Sequence, residues 1–122
     1  MTQLLQNTDQ TKITYCVIDL ETTGLDSKSD AIIEVAAIRF DEGGVERTFQ
    51  SFVDPSRKIP RFIQELTGIS EEDVQSAPRI DDLNAQLGEF IGDSVLIGHN
   101  IGFDIGFLKE SGLKWEGAFF DT

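Results

Sequence analysis

The chain predicts a mixed α/β sheet, in which three strands run as an antiparallel meander and are followed by helices alternating with further strands. Three observations carry this. Apolar runs of strand length occupy the first half, two of them joined by paired glycines. Helical periodicity begins only after Pro60. A short apolar run then separates two helical stretches, which is the order expected of an α/β layer.

Taken in turn, Met1–Lys12 reads as a flexible polar leader, and residues 13–122 as a single domain. Ile13–Leu20 is the first strand, built on Tyr15-Cys16-Val17-Ile18, and Leu25–Asp30 is a polar loop. Ala31–Phe40 is the second strand. Asp41-Glu42-Gly43-Gly44 is the hairpin turn, because adjacent glycines permit positive φ. Val45–Val53 is the third strand. Pro60 suits a helix start and Gly68 its end. Ser70 followed by Glu71, Glu72 and Asp73 reads as an N-cap with acidic residues complementing the helix dipole. Ile80, Leu83, Leu87 and Phe90-Ile91 recur at helical spacing, so Arg79–Ile91 is a helix with one buried face. Ser94–Gly98 is a short strand and Ile101–Glu110 a helix, with Asn100 as its N-cap. Ala118–Thr122 begins a fifth strand.

Composition describes an ordinary soluble domain: 39% hydrophobic and 26% charged among 122 residues, with no apolar run of bilayer-spanning length. One cysteine, Cys16, excludes an internal disulfide and sits in an apolar strand, as an inert thiol would. These features predict a cytoplasmic protein with no membrane partner. Ten Lys and Arg against 22 Asp and Glu give a net charge of −12. Alone, this argues against a nucleic-acid surface, which is normally basic. A metal site would reconcile the two, since it gathers carboxylates and reaches phosphate through bound cations. Arg57, Lys58 and Arg61 form the one basic cluster, either a substrate contact or a solvated loop.

Two stretches carry chemistry. Asp19 and Glu21 are two apart on a strand, so both side chains leave it on one face. Like charges so placed raise each other's pKa unless a cation compensates, and hard divalent ions take oxygen ligands of this kind. The alternative is a turn-capping carboxylate beside a solvated one. Asp104 falls one helical turn after Asn100 and would share its face. Ile101, Ile105 and Leu108 would then form the core stripe. Gly102 and Gly106 would let a neighbouring element approach closely and bring Asp104 towards the first strand. Glu34, inside an apolar strand, either supports the carboxylates or marks a sheet edge.

Asp19-Leu20-Glu21-Thr22-Thr23-Gly24 resembles the first motif of the DnaQ-like (DEDDh) exonucleases, the family of polymerase proofreading subunits such as the epsilon subunit of DNA polymerase III and of ribonuclease T. His99-Asn100-Ile101-Gly102-Phe103-Asp104 is similar to its second motif. The resemblance implies an RNase H-like fold and hydrolysis from 3′ ends of nucleic acid, single-stranded DNA foremost, to nucleoside 5′-monophosphates. It implies two divalent ions, Mg2+ or Mn2+, held by Asp19 as the bridging carboxylate, Glu21 on the water-binding ion and Asp104 on the second. Thr22, Thr23, Gly24, Asn100 and Phe103 match positions around the terminal nucleotide. Ile69 matches a side chain packed on the terminal bases, although a core role is open.

The family's third motif is His, four residues, then Asp. His99 and Asp104 have that spacing, but Asp104 already serves the second motif, so His99 is assigned to ordering the strand-to-helix turn. Asp121-Thr122 is similar to the strand end that precedes the family's later helices. The expectation is therefore a domain truncated before its general base, with its C-terminal helices missing, belonging to a larger polypeptide with a polymerase, helicase or other domain. The competing expectation is a non-catalytic module of a replication or repair protein that binds nucleic-acid ends or a partner. Gln86–Phe90 faintly resembles a sliding-clamp peptide, but Leu87 should be buried in a helix.

Overall fold

The computed structural model describes residues 13–122, so the leader predicted over Met1–Lys12 lies outside the described residues. The elements are β1 (Thr14–Thr22), β2 (Ile32–Asp41), β3 (Arg47–Phe52), α1 (Arg61–Thr67), α2 (Glu71–Gln75), α3 (Ile80–Ile91), β4 (Val95–Gly98), α4 (Ile101–Glu110) and β5 (Phe119–Asp121). They build one five-stranded sheet in the order β3-β2-β1-β4-β5. β1 pairs antiparallel with β2, and β2 with β3; β4 runs parallel to β1, and β5 to β4. This is the predicted mixed sheet, an α/β arrangement with the RNase H-like topology.

Two strand bounds differ by two residues from the sequence reading, and the others by one at most. β1 continues past Leu20 to Thr22, because β2 reaches alongside it and pairs Glu21 with Glu34 and Thr22 with Ile32. The skipped residue is Ile33, a bulge that turns its side chain away from its neighbours' core. β3 starts at Arg47 rather than Val45, since the turn is held by Asp41, whose Oδ1 accepts from Gly43 N at 2.8 Å and whose carbonyl accepts from Gly44 N at 3.0 Å.

The strand period of two decides what is buried. Cys16, Ile18 and Leu20 face a core shared with Leu83, Leu87 and Ile91 of α3 and Ile101, Phe107 and Leu108 of α4. Burial of each large aliphatic chain contributes about 1.5–3 kcal/mol. It also raises the Cys16 thiol to about 11, the inert cysteine expected. The intervening Val17, Asp19 and Glu21 are left on the opposite face. A second core gathers Ile33, Ile59, Ile63, Ile69 and Val74 under α1 and α2. Gly68, at φ 77°, closes α1 on the carbonyl of Gln64. Ser70 and Asp73 complete a reciprocal capping box on α2.

α4 corrects three expectations. Its buried stripe is Ile101, Asp104, Phe107 and Leu108, with Ile105 only half-buried, so Asp104 lies on the core side and not with exposed Asn100. Asn100 occupies the N-cap position in left-handed geometry (φ 55°, ψ 49°) and its side chain makes no capping bond. Gly102 and Gly106 are not close-approach sites, for an added Cβ would meet nothing within 4 Å at Gly102 and only Ser27 Oγ at 3.9 Å at Gly106. The tight contact is at Gly98, where a Cβ would lie 2.7 Å from Ile101 Cδ1 and 3.0 Å from the Ile18 carbonyl.

Candidate active site

The loop after β1 is shaped by its own hydroxyls. Thr22 Oγ1 donates to the Gly24 carbonyl at 2.6 Å. Thr23 Oγ1 donates to Asp30 Oδ1 at 3.2 Å and accepts from Ala31 N at 3.0 Å. Asp26 N donates to the other oxygen of Asp30 at 3.0 Å. A Cβ at Gly24 would lie 2.6 Å from the Asp30 carboxyl carbon, so any larger residue there must displace the Asp30 side chain. Thr22 and Thr23 are buried and both hydroxyls are engaged within the loop.

Asp19 is exposed and Glu21 half-buried on one side of β1, as the alternation requires. Asp104 reaches them from α4, with only 4% of its surface exposed. Burial, then the charges of Asp19 and of Glu21, push its carboxyl up to about 7. Glu21 is raised by burial first, then by Asp19 and Glu34. Asp104 thus feels both acids of β1, so β1 and α4 bring the three predicted carboxylates into one neighbourhood. Glu34 stands directly across from Glu21 and accepts from Gln50 Nε2 at 2.9 Å. The sheet-edge alternative for Glu34 is excluded, since β2 is flanked by β1 and β3.

An all-oxygen donor set of this kind suits a hard divalent cation, which would relieve the mutual repulsion. Among the described residues no group of three His, Cys, Asp or Glu side chains is closed tightly enough to hold an ion as it stands. The carboxylates are neighbours rather than a finished cage.

Beside them lies an apolar groove of about 670 Å³, walled by Glu21, Thr22, Gly24, Leu25, Phe62, Leu66 and Phe103 among others. Leu25, Phe62 and Leu66 are 86%, 66% and 79% exposed. Phe103 is steadied by Phe107, ring centroids 4.9 Å apart. Ile69 does not line the groove and is buried in the second core. The sequence reading missed Leu25, Phe62 and Leu66. The signal was present: Phe62 and Leu66 stand four apart on α1, beside Ile63, whose face is the buried one.

The remaining candidates lie elsewhere. Asn100 is exposed at the start of α4. His99 is exposed, its Nδ1 3.2 Å from the Thr122 carbonyl. Of the basic cluster, Arg57 bonds the Ser29 carbonyl and Arg61 pairs with Glu65 at 3.6 Å along α1. Leu87 is fully buried, which removes the clamp-peptide reading of Gln86–Phe90.

A carboxylate trio on a central strand and a crossing helix, beside an apolar groove, describes a nuclease fold. Residues 16–114 match the family model RNase_T, whose description is exonuclease, and the chain belongs to that family. It is 45% identical over 97 residues to the PolC-type DNA polymerase III of Clostridium perfringens, covering 80% of this chain and 7% of that protein. Against the PolC-type enzyme of Bacillus subtilis it is 44% identical over 96 residues, covering 79% and 7%. Among solved structures, apo exonuclease I superposes with a TM-score of 0.77 at 17% identity, covering 91% of this chain and 29% of that one. Escherichia coli exonuclease I in complex with a dT13 oligonucleotide gives 0.75 at 17%, covering 89% and 28%. At that identity the likeness is one of fold. The chain therefore spans under a tenth of the length of these polymerases. No helix among the described residues is long and apolar enough to cross a membrane.

Proposed function

We propose that this chain belongs to a metal-dependent 3′–5′ exonuclease domain, acting on single-stranded DNA ends in the proofreading region of a PolC-type replicative polymerase in the cytoplasm. The observation that carries the reading is the convergence of Asp19, Glu21 and Asp104 beside the groove of Leu25, Phe62, Leu66 and Phe103. In this reading the three carboxylates hold two Mg2+ or Mn2+ ions. Bound there, the ions supply water activation and stabilisation of the leaving oxyanion.

The chain's own residues do the rest. The rings of Phe62 and Phe103 stack on an unpaired terminal base without reading its identity, and Leu25 and Leu66 extend the apolar surface. The Thr22–Gly24 loop, pinned to Asp30, offers backbone polar groups at fixed positions. Glu34 keeps negative charge behind Glu21. The 122 residues hold one histidine, and its ring faces the Thr122 carbonyl. The chain by itself therefore lacks a poised general base, whose contribution is about 10²–10⁴ in rate. The alternative reading is a module that binds 3′ ends without cutting them.

The test is to assay the purified chain with Mn2+ on 5′-labelled single-stranded DNA, beside the same chain extended with the region that follows the match in the C. perfringens polymerase. Stepwise shortening from the 3′ end by the extended protein only is expected. Blocking the 3′ hydroxyl should stop it. Cutting of a circular substrate, or shortening from the 5′ end, would overturn the proposal. Retention of 3′ ends without cleavage by the extended protein would favour the binding module.

A further inference from the structure

α4 carries Asp104 in its first turn, so whatever fixes the start of α4 fixes that carboxylate. The first N–H groups of a helix lack intrahelical partners and are normally satisfied by the N-cap side chain. Asn100 does not do this. The Ile101 N–H instead donates to Asp121 Oδ1 at 3.2 Å, a residue 20 positions away at the end of β5. Two more contacts fasten the same turn to the same strand end. Thr122 N donates to the Gly98 carbonyl at 2.9 Å, and His99 Nδ1 lies 3.2 Å from the Thr122 carbonyl. On its other side Gly98 is pressed against the Ile18 carbonyl of β1, with no room for a Cβ. The β4–α4 turn is thus held between β1, which bears Asp19 and Glu21, and β5.

We propose that Asp121 is a positioning residue of the carboxylate site: it caps α4 from a separate strand and thereby sets where Asp104 stands against Asp19 and Glu21. The inference rests on the reading of Asp104 as a metal ligand. A carboxylate suits the task because it satisfies an orphan donor and also complements the positive end of the helix dipole. Without it the Asn100–Asp104 turn has no side-chain cap and frays, and Asp104 is lost from the site before the fold is lost. His99 shares the clamp through the backbone of Thr122, a role that needs neither its charge nor its access to substrate.

The experiment uses the 122-residue chain and Mn2+ alone as the probe. Mn2+ affinity is measured by calorimetry, and the Ile101 amide is followed by NMR hydrogen exchange in metal-free protein. Asp121→Ala should weaken Mn2+ binding about tenfold, the loss typical when a ligand's supporting contact is removed. Its Ile101 amide should exchange faster. Asp121→Asn keeps an acceptor oxygen and should restore both readouts, Asn and Asp being comparable caps. Ser70→Ala removes the equivalent cap from α2 and should leave Mn2+ affinity unchanged. If Asp121→Ala does not fold, Asp121→Glu, which displaces the oxygens while keeping the charge, should show the same weakening. Wild-type affinity in the Ala or Glu variant, equal weakening in Ser70→Ala, or no rescue by Asn overturns the proposal. If the wild-type chain binds no Mn2+, the metal reading fails and the positioning role falls with it. An Ile101 amide unaffected by Asp121→Ala is a different failure, that of the cap itself.

Discussion

Asp104→Asn should stabilise the metal-free protein at alkaline pH, and the effect follows from the electrostatics of the site. In an unfolded chain this carboxyl titrates at its ordinary 3.8; in the fold, burial followed by Asp19 and Glu21 raises it to about 7. Below 3.8 it is protonated in both states and costs nothing. As pH rises from there to about 7 the unfolded state gains from ionising while the folded state resists, so stability falls and then levels off. A rise of about three pH units, at about 1.4 kcal/mol each, sets a ceiling of about 4 kcal/mol. The buried amide of the variant loses part of that, since an unpaired buried polar group costs about 1–3 kcal/mol. The expected net gain is on the order of 1–3 kcal/mol at pH 8.5, or a Tm higher by roughly 5–15 °C for a domain of this size. Circular-dichroism melts in EDTA at pH 5 and pH 8.5 measure it, and the advantage of the variant should grow between them. A variant no more stable than wild type at pH 8.5, or a difference independent of pH, would refute the coupling of the three carboxylates.

Three further outcomes are expected. Millimolar Mn2+ should raise the Tm of the wild-type chain through binding to the folded state, and Asp19→Asn should abolish the increase without lowering the metal-free Tm; an equal increase in the variant would remove Asp19 from the site. Phe62→Ala and Leu66→Ala should change stability by no more than about 0.5 kcal/mol, since both side chains are exposed, yet should weaken binding of a short oligo-dT measured by fluorescence anisotropy. Unchanged binding in the double variant would remove the groove from the substrate path. Gly98→Ala should destabilise by about 1–3 kcal/mol, because the added methyl meets Ile101 and the Ile18 carbonyl; a neutral result in chemical denaturation would deny the close approach of β4 to β1.

What was legible in the sequence was local. Apolar runs, the glycine turn and helical periodicity placed all nine elements of residues 13–122 to within a few residues, because strand and helix periods are written in adjacent side chains. The same alternation put Asp19 and Glu21 on one face, and the motif around them led to the exonuclease family that the comparison confirms. Tertiary structure decided the rest. β1 extends to Thr22 only because β2 lies beside it, and the bulge at Ile33 divides one apolar strand between two cores. Ile69 could serve groove or core until α1 and α2 packed over it, and the groove went to Phe62 and Leu66 on the uncovered side of α1. Asn100 has the composition of a cap, yet it stands in left-handed geometry without a capping bond, and the Ile101 N–H donates to Asp121 instead. A sequence pattern specifies which face of an element is apolar; only packing specifies which neighbour meets that face, because the partners are distant in the chain and close in space.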